Sequence, residues 1–166
     1  MASANKPNWK RISPTAAPDM PSPEVFLFDT SAILTLIERE PGRDRVRELI
    51  EAAMRGELAL HACFVSLTEV QYLVTYRRGP AAAAETIAEL KALPVQWLHS
   101  DDALCGSAAE IKSGHTLSFA DAFVAAAALR LGAVLVHKDP EFGPLGSQVK
   151  QEVLPLKGGA AKITTA

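Results

Sequence analysis

Cysteine is nearly missing from this chain, with two in 166 residues. Cys63 and Cys105 lack CxxC spacing and stand among apolar neighbours, which points to a pair of buried free thiols rather than a disulfide framework or a zinc site. The four histidines are not at zinc-binding spacings either. No stretch approaches the roughly 20 consecutive apolar residues that a membrane helix needs. Met1 to Glu24 carries lysines and prolines but no apolar segment of a secretory signal, so a cytoplasmic protein with no membrane partner is expected. Neither sign of charge dominates, with 17 basic and 19 acidic side chains and a net charge of −2. That balance is not the basic coat of a duplex-binding protein. It still permits a nucleic-acid substrate, because gathering four acids in one metal site would leave the remaining surface slightly basic. Internal repeats are absent.

Apolar residues, by contrast, make up 48% of the chain, enough for one packed domain of this length. Residues 1–23 are rich in Pro, Ser and Ala, with Trp9 the only large ring, and read as a flexible extension; the domain is expected over 24–156 and a mobile tail over 157–166. Val25-Phe26-Leu27-Phe28 is a continuous apolar run, as in a strand buried on both faces of a parallel sheet. A helix should follow from Ser31 to Glu38, and a second, capped by Asp44, should present Val46, Leu49, Ile50 and Ala53 before Gly56 ends it. The pattern repeats with a strand over Leu58–Val65 and a helix opened by Ser66. An alanine-rich helix over Pro80–Leu93, a short strand over Val95–Leu98 and a helix capped by Ser100 come next. Ser118–Leu131 reads as a strong helix ended by Gly132, Ala133–His137 as another buried strand, and Val149–Leu154 as a final edge strand. Strands alternating with helices imply a three-layer α/β/α sandwich on a mainly parallel sheet.

Four acids stand out by position. Asp29 ends the first strand, Glu69 and Asp121 lie early in helices, and Asp139 follows a later strand. Ligands of open α/β sheets bind beyond the carboxyl ends of the strands, which is where these residues should gather. Each also has a local explanation. Ser66-Leu67-Thr68-Glu69 is a capping box, Ser118-Phe119-Ala120-Asp121 its acidic variant, and Asp29 and Asp139 can accept backbone N–H bonds at the next turn. For Glu69 alone the cap is favoured. As a set, carboxylates held close cannot all ionise without counter-charge. Mg²⁺ or Mn²⁺, as hard cations, would supply it and would acidify a water for attack on a phosphodiester.

Phe28-Asp29-Thr30-Ser31-Ala32, Glu69, Leu117-Ser118-Phe119-Ala120-Asp121-Ala122 and His137-Lys138-Asp139-Pro140-Glu141-Phe142 together resemble the ordered signature of VapC-type PIN domains. The resemblance spans about Val25 to Leu154. It implies the same α/β/α sandwich and a Mg²⁺-dependent endoribonuclease, with Mn²⁺ able to substitute. It also implies the toxin role in a toxin–antitoxin pair, with an antitoxin protein as partner and a homodimer as the expected assembly. Asp29, Glu69, Asp121 and Asp139 would then be the catalytic and metal-site acids, with Ser31 a hydroxyl beside them. His137 stands where many members have Thr or Ser; it could donate to a carboxylate or merely end the strand. Glu141, a fifth nearby acid, reads as a solvated turn residue. A PIN-like nuclease of RNA processing and a non-catalytic α/β module remain the alternatives. A phosphotransfer receiver would need an acidic pair at Asp29-Thr30, and a haloacid-type phosphatase an Asp at Ser31; both are absent.

Weaker signals accompany these. Arg43 and Lys138 could meet RNA phosphates, although Arg39, Arg43, Arg45 and Arg47 alternate with acids as a solvated face would. Tyr72 and Tyr76, at i and i+4, read as core or interface packing ahead of base stacking. Leu34, Ile37, Val70, Leu73 and Val74 could line a groove between two helices, where the resemblance would dock an antitoxin segment.

Overall fold

The computed structural model describes residues 23–156, so the expected extension and tail, including Trp9, lie outside the described residues apart from Pro23. The chain runs β1 (Glu24–Phe28), α1 (Thr30–Ile37), α2 (Arg43–Met54), β2 (Leu58–Cys63), α3 (Phe64–Arg78), α4 (Pro80–Ala92), β3 (Gln96–Leu98), α5 (Asp102–Gly114), α6 (Phe119–Leu131), β4 (Val134–His137), a 3-10 segment (Pro140–Gln148) and β5 (Gln151–Val153). The five strands form one parallel sheet in the order β3-β2-β1-β4-β5. β1 lies at its centre, where both faces must be apolar, and this accounts for its unbroken Val25–Phe28 run.

Alternation along β1 divides the core. Leu27 points to a cluster with Leu104 and Ala108 of α5, Phe123 to Ala128 of α6, and Phe142 and Leu145 of the 3-10 segment. Phe26 and Phe28 point to the opposite cluster, with Ala32 and Ile33 of α1, Val46, Leu49 and Ile50 of α2, and Val70 and Val74 of α3. The result is the expected three-layer sandwich. Each fully buried Leu or Phe stabilises it by about 1.5–3 kcal/mol. The alanine run of α6 is buried along its whole length, and such small side chains let the helix axis sit close to the sheet. Among the described residues, no helix is long and apolar enough to cross a membrane.

Several element starts differ from the sequence expectation. α2 is capped by Gly42 rather than Asp44, which falls in the first turn. Gly42 sits at φ 93, and a Cβ there would come within 3.2 Å of the Leu154 Cβ, so the close approach of β5's exit selects glycine. α5 is capped by the Asp101 carboxylate, which accepts from Leu104 N at 2.8 Å, not by Ser100. β2 stops at Cys63 and α3 begins at Phe64, two residues before Ser66. Cys63 is buried as expected, but Cys105 is exposed, because α5 turns Leu104 and Ala108 inward and the residue between them outward. Tyr72 and Tyr76 are likewise not core: Tyr76 is 90% exposed, and both border an open groove on α3 with Thr68, Gln71, Leu73 and Thr75. Of the residues expected to line an interhelical groove, Val70 and Val74 are core, while Leu34 and Ile37 are partly buried beside them.

Candidate functional site

β1 delivers Asp29 to the carboxyl edge of the sheet. Phe28 pairs with Ala62 of β2 on one side and Val136 of β4 on the other, so three central strands end at the same level. Asp29 is 3% exposed and caps α1, its Oδ2 accepting from Ser31 N at 2.9 Å and from Ser31 Oγ at 2.5 Å. Ser31 Oγ also accepts from Lys138 N at 2.9 Å, which ties the end of β1 to the end of β4. The Asp29 pKa is raised from 3.8 to about 6. Burial is the main cause; the Ser31 hydrogen bonds pull it back, and the negative charge of Asp121 pushes it further up.

Asp121 arrives from the other layer, at the third position of α6. Ser118 caps that helix as expected, its Oγ accepting from Asp121 N at 3.0 Å. The reciprocal half of the capping box is missing. Ser118 N donates instead to Glu141 Oε2, at 3.2 Å, so Glu141 is no mere solvated turn residue. The Asp121 carboxylate, in a residue only 9% exposed, has no hydrogen-bond or ion-pair partner among the described residues. Asp139 caps the 3-10 segment, with Oδ1 accepting from Glu141 N at 2.8 Å.

Glu69 is not a cap at all. Because α3 starts at Phe64, Ser66 lies inside the helix, fully buried, with its hydroxyl unpartnered among the described residues. The apolar strand-to-helix junction carries no polar signal of where the helix begins, so the Ser66–Glu69 pattern misled. Glu69 stands in the second turn, half-buried, and accepts a 2.5 Å hydrogen bond from Thr30 Oγ1. Burial pushes its pKa up, Thr30 pulls it down, and the charges of Asp121 and Asp139 raise it again. Thr30 was not singled out from the sequence, although its place between Asp29 and Ser31 was the available signal.

Asp121 therefore lies within electrostatic reach of Asp29 and of Glu69, and Asp139 within reach of Glu69, and none of the four has an ion-pair partner among the described residues. They do not form a closed cage: among the described residues no three His, Cys, Asp or Glu side chains converge as a ready ligand set. Asp29, Glu69 and Asp139 each take a local donor instead. This arrangement still fits a hard divalent cation. The donors are all oxygen, and among the described residues the buried Asp29 has no ion-pair partner and the Asp121 carboxylate is unpartnered. Mg²⁺ in particular keeps several waters and uses one or two carboxylates directly.

The remaining expected residues separate. His137 is 2% exposed, with Nδ1 donating to the Asp139 carbonyl oxygen at 2.9 Å and Nε2 3.1 Å from the Gln151 side chain. It thus binds the main chain of Asp139 rather than a carboxylate, and burial holds its pKa below the ordinary value. The Lys138 ammonium pairs with Glu40 at 2.9 Å, with both side chains about nine-tenths buried. Arg43 lines a cavity with Leu36, Ile37, Arg39, Arg78 and Glu89, and none of the four acids borders it.

Comparison with known proteins agrees with the fold. None of the curated protein sequences matches the chain. Among solved structures, VapBC2 from Rickettsia felis bound to a DNA fragment from its promoter has a chain that superposes with a TM-score of 0.66 at 15% identity, covering 79% of this chain and 99% of that one. VapC20 from Mycobacterium tuberculosis, a sarcin-ricin loop cleaving toxin, gives 0.61 at 22% identity, covering 80% and 100%. DNA-bound VapBC from Salmonella typhimurium gives 0.63 at 18%, covering 78% and 98%. These likenesses establish a common fold. The model of the PIN domain matches residues 26–145, a span that holds all four acids and the elements that present them, and the chain belongs to the PIN domain family.

Proposed function

We propose that this protein is a Mg²⁺-dependent endoribonuclease and the toxin of a VapBC-type module, acting in the cytoplasm. The observation that carries the reading is a set of acids without cationic partners among the described residues: Asp29, buried with its pKa raised, beside Asp121, with Glu69 in reach of Asp121 and Asp139. Asp29 and Asp121 would hold the cation, with Glu69 and Asp139 engaging it directly or through its waters. Bound there, the ion supplies counter-charge and lowers the pKa of a water for attack on the phosphodiester. The chain's own residues hold that geometry. Ser31 fixes one Asp29 oxygen and the β4 exit together, Thr30 aims Glu69, and His137 anchors the Asp139 main chain. The solved structures named above, VapBC assemblies and a sarcin-ricin loop cleaving toxin, support an antitoxin partner and an RNA substrate; a homodimer is a further part of the proposal.

Purified protein should cut single-stranded RNA with Mg²⁺ or Mn²⁺ and stop when EDTA is added. Full activity in chelator would sink the mechanism.

Glu69→Gln gives a second check. Since Glu69 caps no helix, the substitution should leave metal-free stability within about 0.5 kcal/mol of the parent, or raise it by relieving repulsion. Mg²⁺ should then raise the melting temperature of the variant less than that of the parent, and cleavage should fall. An active variant with an unaltered Mg²⁺ response would remove Glu69 from the site.

A further inference from the structure

We infer that Glu141 is a positioning residue: it caps α6 from outside the helix and thereby frees Asp121 to serve the acidic site. A Ser-x-x-Asp start normally spends its acid on the N–H of the capping serine. In this chain that N–H, on Ser118, is taken by Glu141 Oε2 from the 3-10 segment, 23 residues further on. Asp121 contributes only its own N–H to the cap, through Ser118 Oγ at 3.0 Å, and its carboxylate is left without a partner among the described residues. Glu141 is itself held, since its N–H donates to Asp139 Oδ1 at 2.8 Å. Next to it, Phe142 is fully buried against the His137 ring, with centroids 4.9 Å apart, which anchors the segment in the core. A chain of contacts thus runs from Asp139 through Glu141 and Ser118 to Asp121, and it links the exit of β4 to the first turn of α6. The glutamate charge also lies at the positive end of a 13-residue helix, where it is favoured.

The role requires an oxygen acceptor and not a charge, which separates it from cation binding. Glutamine keeps the acceptor; alanine does not. The inference rests on the nuclease reading only for its activity measurement, so two further readouts accompany it: amide hydrogen exchange at Ser118 by NMR, and binding of Mn²⁺ alone. In the full chain, Glu141→Ala should speed exchange at Ser118 and lower both Mn²⁺ affinity and RNA cleavage by roughly tenfold to a hundredfold, as loss of a residue supporting a metal ligand does. Glu141→Gln should return all three to near the parent. A glutamine variant as impaired as the alanine variant would overturn the inference in favour of a direct charge role, and an alanine variant equal to the parent would overturn it outright. Should the parent neither cut RNA nor bind Mn²⁺, the nuclease reading fails. The exchange at Ser118 then upholds the capping contact if only alanine speeds it, and overturns it if neither variant does.

Discussion

Asp121→Asn should lower RNA cleavage by roughly a hundredfold to a thousandfold, the range for removing one preorganised electrostatic group from an active site. The fold should survive the change. Asparagine has nearly the shape of aspartate, and the only hydrogen bond that Asp121 gives to the α6 cap comes from its main-chain N–H, which the substitution keeps. The lost charge is one that no cationic side chain among the described residues was balancing. Metal-free melting temperature should therefore hold or rise, because Asp121 raises the pKa of both Asp29 and Glu69 and its removal relieves them. Ser118→Ala is the contrasting control. It removes the cap oxygen and should cost about 1 kcal/mol of stability. Cleavage assays beside thermal melts separate the two effects. An Asp121→Asn enzyme that cuts RNA at the parent's rate would remove the residue from the chemistry.

The second large effect is on the pH dependence of stability, through Asp29. Its pKa is about 6 in the folded protein, against 3.8 for an ordinary aspartate. The folded state therefore binds this proton more tightly than the unfolded chain does. The stabilisation is fully present below the unfolded value and is lost as pH rises through the folded one. A displacement of about two units corresponds to about 3 kcal/mol. In chelator, Asp29→Asn should thus gain about 3 kcal/mol relative to the parent between about pH 4 and 7.5. The difference between the two proteins is the quantity to measure, since other groups titrate nearby. Glu69, raised by burial, acts with the same sign. His61 and His137, both lowered by burial, lose stability as pH falls and so oppose it. All three are retained in the variant and cancel in the comparison. Urea unfolding of both proteins across this range would decide; parallel profiles would mean that Asp29 ionises freely in the folded state.

What could be read from the sequence follows from how local each cause is. The buried strands were legible because Val25–Phe28 and Ala133–His137 are apolar runs that suit only a sheet covered on both faces. α6 was legible at both ends, since Ser118 and Gly132 are strong terminal signals and both act as such. At α3 the same reasoning failed. Cys63, Phe64 and Val65 are all apolar and leave the junction unmarked, so a polar pattern two residues later looked like the start and Glu69 looked like a cap. Tyr72 and Tyr76 share a helix face, but spacing alone cannot say whether that face meets core or solvent. The rest depends on contacts between distant residues. Lys138 meets Glu40 from 98 positions away, Thr30 reaches Glu69 from 39, and Glu141 completes the cap of a helix 23 residues earlier. None of these leaves a periodic or local mark. Asp29, Asp121 and Asp139 each follow a strand or open a helix, so their common edge could be read locally; Glu69, in the second turn of α3, could not be placed that way.

Acids from four separate elements are proposed to serve one divalent cation. Crystals of the protein soaked in Mn²⁺ test it most directly, through the anomalous signal of the metal. A peak is expected at the carboxyl edge of the sheet, about 2.1 Å from carboxylate oxygens of Asp29 and Asp121. Glu69 and Asp139 should bind the ion directly or through its waters. No peak among these carboxylates at saturating Mn²⁺, or a peak held by other residues alone, would contradict it.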